Sequence, residues 1–319
     1  MTHSHPVHAR PLFSCHRLEM HGRFLVLVTG ASRGFGRCVA EEFVRRVAPV
    51  NAVDLVLVAR SGPGLESVAG AIYATTTTIP DVQEVVVRRA AFDLGDLERL
   101  DDHLNSIFKE LDPSRYARAV LVNNAASLGH ISYTNELPSL ATLRSEMDFN
   151  FISAMWVSSR FAAVFGARSL KASKEPSNAT DTSREEYGGR DSDGAAATMR
   201  IPDASNNLVV NVSSLAALEP FKTWAGYGAG KAGREMFHRV LAAEQMEVGG
   251  LKVLNYAPGP LETDMARELR SQAEYEDDVK SGRLIDPKIS AEKCVKLVVT
   301  GRFESGAHVD FFDSEDTVA

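Results

Sequence analysis

The chain has 319 residues, 44% of them hydrophobic and 24% charged, which is the composition of a protein that buries a core and not that of a disordered or fibrous chain. Its formal net charge of −7 argues against a nucleic-acid or anionic-membrane partner, since both require a basic face. No apolar run reaches the roughly 20 residues of a membrane span. The three cysteines, Cys15, Cys38 and Cys294, have neither metal-like nor CxxC spacing, so free thiols in a reducing, cytoplasmic compartment and no metal site are expected.

Residues 1–23 read as a flexible extension. They hold His3, His5, His8, His16 and His21 with Arg10, Arg17 and Arg23, and Glu19 is their one acid. Histidine-rich tails of this kind commonly have no metal role. Organelle-targeting segments share the basic, acid-poor composition, but no clear amphipathic period accompanies it here.

From Phe24 the pattern becomes regular. "FLVLV" (24–28) is a short apolar run ending in a Gly-rich stretch, as a buried parallel strand should. Further strands are expected at 54–60, 84–94, 117–126, 207–214, 251–259 and 307–312. Helical spacing is read at 34–47, 95–110, 139–166, 225–247 and 290–300. Alternating strands and helices imply an α/β fold: one doubly wound parallel sheet of about seven strands with helices on both faces. Ligands of such sheets bind at the C-terminal strand ends, where the strand order reverses. Residues 169–205, rich in Ser, Thr, Asp, Gly and Ala, interrupt the rhythm and read as a disordered insertion within a single domain spanning 24–313, followed by a tail at 314–319.

"VTGASRGFG" (28–36) follows the first strand and opens the first helix. Gly30, Gly34 and Gly36 allow a tight turn and close approach to a diphosphate, and the helix N-terminus supplies free N–H groups. The TGxxxGxG spacing, "NNAA" (123–126) after the fourth strand and "PGPLETDM" (258–265) after the sixth resemble the short-chain dehydrogenase/reductase family. That resemblance implies a Rossmann-like domain. It also places Gly30, Ala31, Ser32, Arg33, Gly34, Phe35, Gly36, Arg60, Ser61, Asp93, Leu94, Asn124, Lys231, Leu261, Thr263 and Met265 at the cofactor, with Asp93 and Leu94 matching the adenine contact. The second strand ends in Arg60 and Ser61, where an NAD enzyme usually has an acid; with Arg33, two guanidinium groups suit a ribose 2′-phosphate, so NADP(H) is the expected cofactor.

"WAGYGAGKAG" (224–233) sets Tyr227 and Lys231 four residues apart, on one face of the expected helix. Such a pair is weak evidence alone. Ser214, at the end of the fifth strand and 13 residues before Tyr227, and Asn150 in "DFNFIS" complete the pattern of the family's Asn–Ser–Tyr–Lys tetrad. Ketone reduction delivers a hydride to carbon and a proton to oxygen. Tyr227 is the expected donor, Lys231 the ammonium that lowers its pKa from about 10 and holds the nicotinamide ribose, and Ser214 the carbonyl partner, with Ser213 its alternative. Asn150 is expected to hold a water that feeds protons through Lys231. The small residues around the pair are expected to leave room for nicotinamide and a flat substrate. A family fold that has lost catalysis is the bland alternative.

"VVNVSSLAALEPFKTWAGYGAGKAGREM" (209–236), "VLNYAPGPLETDM" (253–265) and "SGAHVDFFD" (305–313) closely resemble the sepiapterin reductases, a branch of that family that reduces side-chain ketones of pterins in the last steps of tetrahydrobiopterin formation. The resemblance implies Asp310 as the substrate anchor, and a carboxylate suits a pterin's adjacent amino and ring N–H donors. It puts Ser214, Leu215, Trp224, Tyr227, Gly259 and Met265 around the pterin, and it implies a homodimer. Gly228 and Ala216 are smaller than their counterparts in better-known relatives, so the pocket is expected to be roomier. A broad carbonyl or diketone reductase, a pteridine-ring reductase and a non-catalytic NADP(H)-sensing protein are the competing readings.

Overall fold

Each of the seven apolar runs forms a strand: β1 (Arg23–Thr29), β2 (Ala52–Ala59), β3 (Val85–Ala91), β4 (Arg118–Asn123), β5 (Leu208–Val212), β6 (Lys252–Ala257) and β7 (His308–Asp310). They belong to a computed structural model in which residues 22–167, 206–270 and 284–313 are described; the first 21 residues, all of the expected insertion, residues 271–283 and the last six residues lie outside that set. All pairs are parallel, in the order β3-β2-β1-β4-β5-β6-β7. The chain winds outward from β1 to β3, then returns to place β4 on the other side of β1. The C-terminal ends of β1 and β4 are therefore the switch point at which open sheets bind ligands.

Strand periodicity splits the core into two layers. Val26 and Val28 of β1 face one layer, with Val39, Phe43, Val295 and Val298; Leu25 and Leu27 face the other, with Leu104, Phe161 and Leu241. Burying each such side chain contributes about 1.5–3 kcal/mol. The helices that cover the layers are α1 (Gly34–Val47), α2 (Gly62–Thr76), α3 (Leu97–Lys109), α4 (Leu140–Met147), α5 (Ser153–Phe165), α6 (Ala225–Glu247), α7 (Asp264–Arg270) and α8 (Pro287–Thr300). None of the described helices is long and apolar enough to cross a membrane.

Three helical features depart from expectation. α2 was masked by its opening Gly-Pro-Gly and its threonine-rich end. It forms because the Ser61 side chain caps it, accepting from Gly64 N at 3.1 Å, and because Leu65, Val68, Ala69 and Ile72 bury one face. α7, just after the loop that follows β6, was likewise not expected. The helix expected over 139–166 is instead α4 and α5 joined by a π-helical turn, Asp148–Ile152. Such turns are rare and concentrate at functional sites, and Asn150 lies within this one.

Candidate active site

The loop between β1 and α1 is shaped by its glycines. Gly30 and Gly34 have φ of +66° and +56°, a region that costs other residues dearly. Gly36 has ordinary backbone but no space: a Cβ there would lie 2.5 Å from the Gly30 carbonyl oxygen. Asn124 fixes the loop from below, its Nδ2 donating to Thr29 O at 2.8 Å and to Gly30 O at 3.3 Å. The Thr29 hydroxyl in turn accepts from the backbone of Asn124 and Ala125.

The other expected cofactor residues divide into two groups. Ala31, Phe35 and Leu94 are buried in the core, with Phe35 stacked on Tyr256, so their side chains serve packing. Ser32 lies against Gly64 at the start of α2, which Ser61 caps. Thr263 faces Gly34 across the loop, 3.6 Å from where a Cβ would stand, and Leu261 joins Ile285 in an isolated bridge. Arg33 and Arg60 are exposed, the first paired with Asp264 at 3.1 Å and the second with Asp93 at 3.7 Å. These residues fit a nicotinamide dinucleotide: glycine backbone free to approach a diphosphate at a helix N-terminus, and two accessible guanidinium groups beside it.

Tyr227, Lys231, Ser214 and Asn150 converge at the adjacent strand ends. Tyr227 and Lys231 are buried on α6, and the Lys231 Nζ lies 5.5 Å from the Tyr227 ring centre and donates to Val212 O at 2.6 Å. The Ser214 hydroxyl accepts from Ala216 N at 3.2 Å and lies near enough to the Tyr227 phenol to lower its pKa, whereas the Ser213 hydroxyl donates to Glu235 at 2.6 Å. Between the two serines, only Ser214 thus reaches the phenol. Burial pushes the Tyr227 phenol up, against the opposing pull of Ser214 and of the Arg234 charge. Burial also drives Lys231 well below the usual lysine range; Arg234 adds to that fall and Glu235 opposes it. Arg234 is a further cation that favours the Tyr227 phenolate, beside the expected Lys231.

Asn150 is held by the loop after β4. Its Oδ1 accepts from Ser127 N at 2.8 Å and its Nδ2 donates to Ser127 O at 2.9 Å. The side chain thus tethers the loop after β4 and keeps a second N–H and a second lone pair for other partners.

The small residues of "WAGYGAGKAG" have a different purpose from the one expected. A Cβ on Gly226 would stand 2.9 Å from the Glu146 carboxylate, one on Gly230 3.3 Å from Asn150 Cβ, and one on Gly233 2.9 Å from the Phe151 ring. They let α6 pack tightly on α4 and the π-turn, and Gly228 faces the Ala216 carbonyl in the same way. The room they make is for neighbouring helices.

An apolar wall flanks Tyr227. Trp224 meets its ring edge-on at 5.4 Å, and Leu128, Ile131, Ala216, Met265 and Leu269 complete the cluster. Leu128, Ile131 and Leu269 were not singled out from sequence; each lies on a loop or short helix whose approach to Tyr227 depends on the fold. Leu215 is 41% exposed beside the wall. Asp310 ends β7, paired with Ala257 of β6, and its Oδ1 accepts from Phe312 N at 2.9 Å within its own turn. Gly259, at φ +77°, is packed against Ile285, whose Cδ1 lies 2.7 Å from where a Cβ would stand, with Phe311 and Phe312 at 3.5 Å.

A parallel sheet with a glycine loop at its switch point and a Ser–Tyr–Lys group beside it defines the class of a nicotinamide-dependent oxidoreductase. Residues 25–169 and 193–274 match the short chain dehydrogenase family, and the chain belongs to that family. It is similar to the sepiapterin reductase of Xenopus tropicalis, 34% identical over 300 residues that make up 92% of this chain and 97% of that protein. The sepiapterin reductase of Mus musculus is 34% identical over 301 residues, and the benzil reductase ((S)-benzoin forming) of Bacillus subtilis (strain 168) is 24% identical over 250 residues, 78% of this chain and 79% of that protein. Among solved structures, levodione reductase superposes with a TM-score of 0.64 at 18% identity, covering 91% of this chain and 96% of that one, a likeness of fold. The protein is thus an oxidoreductase, a carbonyl reductase of the short-chain family.

Proposed function

We propose that the chain is an NADPH-dependent reductase of the side-chain ketones of pterins, of the sepiapterin and 6-pyruvoyl-tetrahydropterin type, working at the end of tetrahydrobiopterin formation. The observation that carries this reading is the grouping of Ser214, Tyr227 and Lys231 against the Trp224–Met265 wall, with Asp310 on the same sheet edge. The 34% identity to sepiapterin reductases over nearly the full chain supports it. Arg33 and Arg60 support NADP(H), because a 2′-phosphate outcompetes exposed carboxylate partners that contribute little.

The cofactor, when bound, supplies the hydride. The glycine loop and α1 would hold its diphosphate and Lys231 its ribose, using N–H donors left over from Val212 O. Ser214 orients the ketone oxygen, and Tyr227 gives it a proton; burial keeps the phenol protonated and available as an acid. The wall sandwiches a flat ring and excludes water, and the Asp310 carboxylate accepts from the ring's amino and N–H groups. The exposed Trp156 of α5 and Met236 and Val240 of α6 support a homodimer through these helices.

A broad diketone reductase is the second reading, favoured by the small Ala216 in the wall beside Tyr227 and by the likeness to benzil reductase. Asp310→Asn separates the two, since it keeps the acceptor for Phe312 N and loses the charge. Steady-state assays with sepiapterin and with benzil are expected to give about a 10- to 100-fold loss of kcat/KM for the pterin alone, the worth of a charged hydrogen bond. Equal kcat/KM before and after substitution would exclude the pterin anchor.

A further inference from the structure

Behind the Tyr227–Lys231 face lies a charged side chain outside the tetrad. Arg234 follows Lys231 by one helical turn and Tyr227 by two, and it is 1% exposed. Its Nε donates to Asn211 Oδ1 at 2.9 Å, one Nη to Ala125 O at 2.9 Å, and the other Nη to Asn123 O. Asn211 belongs to β5, Asn123 ends β4, and Ala125 lies just beyond it. One planar group therefore joins α6 to both strand ends on which the site is built. Between Asn123 and Ala125 stands Asn124, which carries the glycine loop.

The three partners are neutral oxygens, so the guanidinium charge is spread by hydrogen bonds without being cancelled. The other ionisable groups packed around it are directed elsewhere. Glu235 takes the Ser213 hydroxyl of the strand beneath and faces His308 of β7 at 3.1 Å. His238 contacts the Arg234 carbonyl at 2.7 Å and Ser158 of α5 at 2.8 Å, and burial holds its pKa down to about 3, so it stays neutral. Lys231 and Tyr227 are the groups that share its face.

We propose that Arg234 is a positioning residue of the reduction: it clamps the catalytic helix to the ends of β4 and β5 and presents a permanent positive charge to the Tyr227 hydroxyl. The inference rests on Tyr227 as proton donor. In the reduction the Tyr227 O–H bond breaks, a new O–H bond forms on the substrate oxygen as the hydride reaches carbon, and a phenolate is left behind. Arg234 favours that phenolate and so aids the transfer.

The test is a tyrosinate absorbance titration of the full chain, read as the difference from Tyr227→Phe so that the Tyr227 signal stands alone. Two neutral variants of different shape, Arg234→Gln and Arg234→Met, are compared with Arg234→Lys; either neutral variant suffices if the other does not fold. Removing the charge is expected to raise the Tyr227 midpoint by about one pH unit or more, a tenfold weaker acid, while Arg234→Lys stays near the parent. In sepiapterin or benzil reduction, whichever is turned over, the neutral variants lose kcat about tenfold with little change in ketone KM. An unmoved midpoint in the neutral variants, or an equal displacement in Arg234→Lys, overturns the inference. Retained activity in Tyr227→Phe would instead overturn the proton-donor reading, which the titration does not touch.

Discussion

Arg60 illustrates how much one side chain decides. It is 67% exposed at the C-terminal end of β2, 3.7 Å from Asp93 and with its guanidinium 5.7 Å from the centre of the Phe149 ring. An exposed ion pair contributes about 0–1 kcal/mol, so Asp93 does not hold the guanidinium against a phosphate. Arg60→Asp is expected to weaken NADPH at least ~30-fold relative to NADH, about 2 kcal/mol, as measured by titration of both cofactors. Equal losses for the two would remove the basis for NADP(H) preference. Arg60, Tyr227 and Lys231 were legible in the sequence because their types and spacings are unusual in a strand–turn–helix setting. Leu128, Ile131 and Leu269 were not, since an isolated apolar residue on a loop has no local signature.

At the scale of elements, the β1–α1 turn and α6 carry the site, and glycine works differently in each. In the turn, Gly36 is pressed on the backbone of Gly30, which cannot yield as a flexible side chain would. Gly36→Ala is therefore expected to displace the loop and weaken nicotinamide cofactor binding by about tenfold or more, seen by calorimetry, with the thermal midpoint little changed. Binding at the parent affinity would mean that the loop tolerates a methyl group. In α6 the glycines face the π-turn and α4, and that packing sets the catalytic helix against Asn150. Local periodicity cannot distinguish these uses, because it records that a residue is small and not what approaches it. For the same reason the helix expected over 139–166 concealed its π-turn, whose extra residue leaves the hydrophobic pattern nearly intact. α2 was partly legible: the spacing of Leu65, Val68, Ala69 and Ile72 is helical, but glycine, proline and threonine at its ends obscured it.

For the whole molecule, the buried layer beneath the site predicts a response to acid. His238 is fully buried and its pKa is lowered from 6.5 to about 3. The unfolded chain then binds the proton that the folded chain refuses, so stability is intact above the unfolded value and falls with pH between about 6.5 and 3. Each pH unit in that window costs at most ~1.4 kcal/mol from this group. Urea midpoints measured at pH 7.5 and 5 should show the loss in the parent and a smaller one in His238→Gln; identical slopes would place the acid sensitivity elsewhere.

By itself the sequence determined the seven strands, the glycine turn and the Tyr227–Lys231 pair. Each is set by forces acting within a few residues: β-branched runs that suit a sheet, positive φ that favours glycine, and helical spacing. Only the tertiary structure decided that Ser214 and not Ser213 meets Tyr227, that Asn150 grips Ser127, and that Arg234 joins α6 to β4 and β5. Those outcomes depend on which element approaches which, across as many as 111 residues of chain between Arg234 and Asn123. They follow from burial, which makes it costly for a polar group carried inward not to find a partner there.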